Sequence, residues 1–304
     1  MLSVALNLYN LKKWTKMVTG NSILHVNQGP GKIYSLVEVE GYYNDLTEKV
    51  IKDPDFDNLS VPVYKIETGE NIYFPISIFQ YGLGAYDMYL LKKEDIYLEK
   101  FKLCVDWALE YQNEKGAWDT FSYKNPNAPY SAMAQGEGIS LLTRAYSYSN
   151  NEKYLMAAKK ATDFMLLPIE KGGTTVYIKN QVYLKEYTDQ PVVLNGWIFA
   201  IFGLYDYLKV NDDEKVVEIY KKTLNTISEK ISLFDNSYWS KYDSEKIIAS
   251  PFYHSLHIAQ LRVLYNLTKI ESFNTYANLW EKKNFNFFYK NYAFFVKVFQ
   301  KLKE

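Results

Sequence analysis

Apolar residues recur at helical spacing in four long blocks of this chain, and each block is followed by a short polar break and a second, more charged helical stretch. The blocks end in GLGAYDMYL (82–90), LLTRAYSYS (141–149), IFGLYDYLK (201–209) and LRVLYNLTK (261–269). One tyrosine recurs in each, at Tyr86, Tyr146, Tyr205 and Tyr265, at intervals of 60, 59 and 60 residues. A repeated helix–turn–helix unit cannot bury its apolar face alone, so its copies must stack on one another.

The pattern predicts helix pairs at 76–92 and 94–114, 131–149 and 151–167, 192–209 and 213–233, and 252–268 and 270–283. The first helix of a pair, such as VVLNGWIFAIFGLYDYL, is apolar nearly all round and belongs inside. The second, such as EKVVEIYKKTLNTISEKI, carries a charged face and belongs outside. The predicted fold is mainly α: a small or incomplete α/α barrel (toroid) of four helical hairpins. Its long connections, 116–130, 172–191 and 235–251, all fall at one end, beside the N-termini of the inner helices. Unpaired N–H groups and positive dipole ends there suit an anionic ligand.

Residues 1–72 have a different texture. A short helix at 2–18 precedes turn signals at Gly20, Gly29, Pro30 and Gly31. A strand-like KIYSLVEVEGYY (32–43) and a hairpin-like PVYKIETGENIYFP (62–75), with Gly69 in its turn, follow. The expected division is a small β-rich N-terminal region, 1–72, and a helical domain, 73–304. The tail NFNFFYKNYAFFVKVFQKLKE (284–304) reads as an aromatic, lysine-rich helix that packs on the body or on a partner chain.

Charge narrows the choice of partner. The 35 basic and 35 acidic residues cancel, which argues against a nucleic-acid binder drawn in by long-range attraction. No apolar run reaches the roughly 20 residues of a membrane span. Basic residues follow the first apolar run instead of preceding it, so no signal peptide is read and a cytoplasmic protein is expected. Cys104 is the single cysteine; it reads as a buried, inert thiol. Tyrosine is abundant, 29 of 304 residues, and its ring face and hydroxyl suit a pyranose, although a general bias toward Lys, Asn, Ile and Tyr accounts for it equally well.

Four segments near the expected site end carry candidate chemistry. In Pro129–Gly138, small residues and two glycines would let a ligand approach the backbone closely, while Ser131 serves equally as a helix cap. Next come Lys185-Glu186-Tyr187 and Asn195-Gly196, the latter a poor way to begin a helix unless something requires it. Tyr238–Asp243 and Tyr253–His257 complete the set. His254 and His257 share a helix face, but no HExxH or comparable spacing accompanies them, and no metal or other cofactor is expected. No phosphate-binding glycine loop, GxSxG elbow or CxxC pair is present. Phenols, one carboxylate, imidazoles and amides are left. Such groups on opposite faces of a sugar can remove a proton from carbon and return one from the other side.

At these residues the sequence resembles the C-terminal domain of the D-glucuronyl C5-epimerase family. The stretches that carry the resemblance are YFPISIFQYGL (73–83), PYSAMAQGEGISLLTRAY (129–146), KEY with VLNGWIFAIFGLYD (185–206) and YHSLHIAQL (253–261). The resemblance implies an α/α barrel and an isomerase converting D-glucuronate to L-iduronate within a heparosan- or heparan-like polysaccharide. It implies catalytic roles for Glu186, Tyr187, Tyr242 and Tyr253. Substrate contacts would fall on Tyr130, Ser131, Gln135, Asn195, His254 and Lys246. The family's arginine three residues after the Tyr-Asp tyrosine is replaced by Glu245, leaving Lys246 as a point charge without the bidentate fork. A uronate polysaccharide lyase and a non-catalytic glycan-binding protein are the competing readings. Oligomeric state stays open, with the aromatic tail as a candidate homodimer interface.

Overall fold

The computed structural model describes Thr15, Ser22, residues 25–52, Phe56 and residues 61–303. The helix expected at 2–18 lies almost wholly outside them. Four consecutive helical pairs follow the periodicity: α2 (Pro75–Lys92) with α3 (Asp95–Tyr111), α4 (Ala132–Ser149) with α5 (Glu152–Met165), α6 (Leu194–Val210) with α7 (Glu214–Lys230), and α8 (Pro251–Thr268) with α9 (Glu271–Phe285). A short α1 (Thr47–Ile51) precedes them and α10 (Phe287–Lys303) follows. The even-numbered helices α2 to α8 are buried over most of their length, and each packs on the next in chain order.

The tight turns inside the pairs have a common closure. Lys93, Asn150 and Lys269 take left-handed backbone, with φ of 59°, 54° and 59°, and each N–H bonds back to the preceding helix. A left-handed residue stops an α-helix while satisfying one of its last carbonyls. The recurring tyrosines sit at these corners. Tyr146 Oη donates to Glu152 (3.4 Å) and Tyr265 Oη to Glu271 (3.1 Å), clasping one helix to the first turn of its partner. Tyr205 instead donates to the Leu36 carbonyl (2.6 Å), and Tyr86 is buried in the core. The ladder is scaffold.

The glycines of the 129–138 segment serve helix packing, not ligand approach. A Cβ on Gly136 would lie 2.5 Å from Ala200 Cα, and one on Gly203 would lie 2.4 Å from the Gly136 carbonyl oxygen. α4 and α6 therefore meet backbone to backbone. Gly138 lies against the Trp118 ring, 2.5 Å from where its Cβ would be.

The N-terminal part departs from the β-rich expectation. Its strands among the described residues are β1 (Tyr64–Lys65) and β2 (Asn71–Ile72), paired antiparallel around Gly69 at φ 89°. Residues 32–43, which alternate like a strand, are irregular. Side chains of the inner helices take the place of a neighbouring strand there. Tyr42 N–H donates to Asp87 (2.8 Å), and the Gly41 carbonyl accepts from Arg144 (2.9 Å). Tyr43 Oη donates to Asp206 (2.6 Å), which also holds Arg144 in a fully buried ion pair of 2.6 Å. Tyr42, Tyr43, Leu46 and Val50 thus share one core with the helices.

Candidate active site

The connection between α5 and α6 folds into a hairpin that the sequence pattern did not mark. β3 (Thr175–Ile178) and β4 (Gln181–Leu184) pair antiparallel, and β4 is pinned to α7 by Val182 N–H on Thr226 Oγ1 (3.0 Å) and Thr223 Oγ1 on the Val182 carbonyl (3.1 Å). Leaving β4, Lys185 bonds Thr174 through its N–H and Ala132 through its carbonyl, both at 2.9 Å. The next residue, Glu186, is thereby buried at the mouth of the inner helices, against the first turn of α6. Burial pushes its carboxyl up to about 7, against the pull of a hydrogen bond from Tyr187. Its Oε2 has no protein partner.

Three phenols stand beside it. Tyr187 stacks on Phe121 at 4.5 Å, and Tyr242 meets Tyr253 edge-on at 4.8 Å. The Tyr242 loop is shaped by Asp243, whose Oδ1 accepts the N–H groups of Glu245, Lys246 and Ile247 at 2.9–3.0 Å. The Tyr242 carbonyl then accepts Leu194 N–H (3.2 Å), tying the loop to the start of α6. Behind the loop, α10 places Lys297 over the Tyr242 ring, and its Gln300 bonds Ile248 and Lys246. Ser250 caps α8 on Tyr253 N–H (3.3 Å), with Pro251 at the first helical position. Burial, followed by the charge of Glu186, raises the phenols of Tyr187, Tyr242 and Tyr253 above their ordinary range. They are neutral hydrogen donors near pH 7.

A cleft of about 210 Å³ opens onto Glu186, Tyr187, Asn195 and Tyr253. His25, Lys49 and Gln80 also line it, His25 standing edge-on to Tyr253 with its Nε2 3.5 Å from the Tyr253 hydroxyl. Asn195 is buried with Oδ1 unpartnered, as is Oε2 of Glu137, whose Oε1 accepts from Gln80 (2.7 Å). Of the two, Asn195 lines the cleft, and its unpaired acceptor fits a ligand that brings a hydroxyl donor.

Five expected substrate contacts do not line this cleft. Tyr130 accepts from Asn113 (3.3 Å) and sets its ring against Phe164. Ser131 caps α4, accepting from Ala134 N–H (3.4 Å). Gln135 accepts from Trp118 N–H (3.2 Å) and donates to the carbonyls of Gly116 (2.9 Å) and Ala161 (3.2 Å). Lys246 is exposed on the outside of its loop.

His254 is fully buried against Trp239, ring to ring at 3.6 Å. Its Nδ1 accepts Ser240 N–H (3.2 Å), which leaves Nε2 to donate to the Trp280 carbonyl (3.0 Å). Burial drives its pKa down to about 3, so the ring is a neutral brace. The Ser240 hydroxyl lies 2.7 Å from His254 Nδ1 and 3.2 Å from His257 Nδ1, so both rings close on one serine. Among the described residues, no group of three or more His, Cys, Asp or Glu side chains is placed to hold a metal ion.

Of the residues that sequence reasoning missed, Gln80 and Glu137 were signalled by being polar within apolar helices. His25 and Lys49 carried no such sign. Only the fold brings them to the cleft.

Fold and site together define a mainly helical protein with a cleft, lined by a carboxyl, phenols and an amide, beside the first turns of its buried helices. The family described as "D-glucuronyl C5-epimerase C-terminus" matches residues 112–282, more than half of the chain, and the chain belongs to that family. Over 220 residues it is 27% identical to the D-glucuronyl C5-epimerase of Caenorhabditis elegans, covering 63% of this chain and 36% of that protein. Over 158 residues it is 31% identical to an uncharacterized protein of Methanocaldococcus jannaschii, covering 50% and 51% of the two chains. The chain thus spans between about a third and a half of the length of these relatives. Among solved structures it is similar to an unsaturated glucuronyl hydrolase specific for heparin, at TM-score 0.48 and 12% identity over 68% of this chain and 60% of that one. The unsaturated glucuronyl hydrolase of Bacillus sp. GL1 aligns at TM-score 0.47 and 12% identity, over 68% and 61%.

Proposed function

We propose that this protein is an isomerase that inverts C5 of D-glucuronate residues, giving L-iduronate, within an anionic polysaccharide of the heparosan type. The observation that carries the reading is Glu186: a buried carboxyl at about 7, with one oxygen unpartnered beside the cleft and three neutral phenols around it. A base poised near the working pH combines a useful ionised fraction with enough proton affinity to act on carbon.

In this mechanism ionised Glu186 removes the C5 proton and becomes a carboxylic acid. The electron pair passes into the neighbouring carboxylate, giving an enolate-like intermediate stabilised by fixed donors. Tyr253 gives its hydroxyl proton to the other face of C5, inverting the centre. Return of a proton from Glu186 to the Tyr253 oxygen, directly or through solvent, restores the starting state. Tyr187 supports Glu186, and Tyr242 supports Tyr253 from behind. The sequence left the base open among Tyr187, Tyr242, Tyr253 and Glu186, and the raised phenols favour Glu186 in that role. Asn195 is assigned to a sugar hydroxyl, whereas Tyr130, Ser131, Gln135 and His254 are assigned to building the walls. A second copy of the chain is assigned to the exposed aromatic stripe of α10.

The test is incubation with a heparosan chain in deuterated water. Deuterium uptake at C5 without chain cleavage supports the epimerase. Absorbance of an unsaturated uronate replaces it with a lyase, and absence of exchange across uronate polymers replaces it with a binding protein.

A further inference from the structure

The proposed reaction places a negative carboxylate next to C5, and ionisation at C5 is easier when a cation meets that carboxylate. The loop that carries an arginine elsewhere in the family offers Glu245 and Lys246, and both are exposed and outside the cleft. Two lysines line the cleft among the described residues. Lys124 is exposed at its rim, whereas Lys49 is 5% exposed and reaches it from α1. We propose, on the strength of the epimerase reading, that the Lys49 ammonium receives the uronate carboxylate and fixes which sugar ring enters the cleft.

Local packing explains how so short a helix holds a lysine at that depth. Lys49 N–H bonds the Leu46 carbonyl (3.0 Å), and α1 packs on α2. It can do so because Gly84 presents no side chain: a Cβ there would be 2.4 Å from the Leu46 carbonyl oxygen and 3.2 Å from Val50 Cγ2. The residues beside Lys49 on this segment, Leu46 and Val50, are core residues, so its position is set by burial. Lys49 also lies outside the 112–282 stretch by which the family is recognised. Recognition of the acid would therefore come from the N-terminal segment, while the proton chemistry comes from the helical repeats.

Charges around Lys49 agree with this role. Burial, the largest effect, brings the ammonium down to about 8; Glu137 on α4 raises its pKa and Lys52, just past the end of α1, lowers it. Glu137 is itself held toward its neutral acid form by burial. Glu186 and His25 face the same cleft. An incoming carboxylate would restore the charge that burial disfavours, so binding takes up a proton above pH 8 and weakens there.

The experiment uses a heparosan oligosaccharide of uniform length and the full chain. Binding is measured by calorimetry in the Glu186→Gln background, and C5 exchange is measured with Glu186 present. Lys49→Met is expected to weaken binding by about tenfold to hundredfold, the value of a charge-assisted hydrogen bond. It should leave binding of the same oligosaccharide with its carboxyl groups reduced to alcohols unchanged. Lys49→Arg is expected to bind the acid and to lose the weakening above pH 8. Equal binding of the acid by Lys49→Met and its parent would overturn the assignment, as would equal losses for the acid and the reduced ligand. If Lys49→Met does not fold, a pH-independent affinity between 7 and 9.5 in the parent overturns it instead. Failure of the unmodified protein to exchange C5 on any uronate chain removes the epimerase reading, and this inference with it.

Discussion

Glu186 lies directly against the bare Cα of Gly196. A Cβ there would sit 2.3 Å from Glu186 Oε2, 2.7 Å from its Cβ and 3.0 Å from its Cδ. This contact explains why an inner helix begins Leu-Asn-Gly, a sequence that costs about 1 kcal/mol of helix propensity at the glycine. Gly196→Ala should gain that propensity and still be harmful, because the carboxylate must move. A displacement of about 1 Å is worth on the order of a hundredfold in rate. The expected outcome is a loss of C5 exchange of that size, measured by mass spectrometry in deuterated water, with helical circular dichroism retained. An unchanged rate would mean that the position of Glu186 does not matter.

Raising a carboxyl to about 7 has a cost that can be measured. Its folded pKa lies above the unfolded value of about 4.3, so the folded state binds the extra proton. Stability therefore falls as pH rises from about 4 to 7, while ionised base accumulates. Glu186→Gln should abolish exchange yet be more stable than the parent to urea at pH 8, by about 3–4 kcal/mol. At pH 4 the two should be alike. In the parent, exchange should decline as pH falls through about 7.

Most of the helical architecture was legible in the sequence because strong periodicity is punctuated by polar breaks. All eight repeat helices start within two residues of the expected positions. The 32–43 segment misled because alternation also suits a chain threaded between helices, where Asp87 and Arg144 take up backbone groups that a partner strand would bond and Asp206 holds the Tyr43 hydroxyl. Glu186, Tyr187, Asn195 and Tyr253 were readable as irregular residues where the repeat is interrupted. Lys49 was not, since only tertiary packing distinguishes it from a surface lysine. Gln135 and His254 were singled out as polar, but burial with every partner satisfied has the same sequence signature as a binding role.

The Arg144–Asp206 pair is a second place where charge is buried, and here it holds the N-terminal segment through the Gly41 carbonyl and the Tyr43 hydroxyl. Removing one partner strands the other, at a cost of about 3–5 kcal/mol. Arg144→Met should lower stability by that amount in urea and open residues 25–46 to limited proteolysis. Arg144→Met combined with Asp206→Leu should recover much of the loss. If the single variant is as stable as the parent, the pair does not anchor the segment.

His254 and His257 are both neutral in the folded protein, their pKa values lowered by burial. Unfolded histidine binds a proton near pH 6.5, so the unfolded state gains protons first as pH falls. The stability these rings support is present above about 6.5 and is lost below it, by up to about 1.4 kcal/mol per pH unit for each. His254→Gln should be less stable than the parent at pH 8, having lost its fit between Ser240 and the Trp280 carbonyl. Its decline between pH 6.5 and 5 should be shallower. Because the ring does not line the cleft, KM for the folded variant should stay near that of the parent. A raised KM with unchanged stability would return His254 to the substrate.

On α10, Phe288, Tyr292, Phe295 and Phe299 are 57–80% exposed and follow one another at intervals of four, three and four residues. That spacing makes a stripe along one face, the geometry of a helix–helix seam, with Phe287 and Tyr289 exposed on either side of its first residue. The opposite face is already engaged, through buried Ala293 and Lys297 and through Gln300 on the Tyr242 loop. The stripe carries no charge, so a two-fold related copy would meet it without repulsion. Phe288→Glu with Phe295→Glu should convert a dimer to a monomer in analytical ultracentrifugation and leave the fold intact. Because α10 backs Tyr242, the same variant should also slow exchange if dimerisation steadies that loop. A monomeric parent at micromolar concentration would rule out the second copy as the partner of this face.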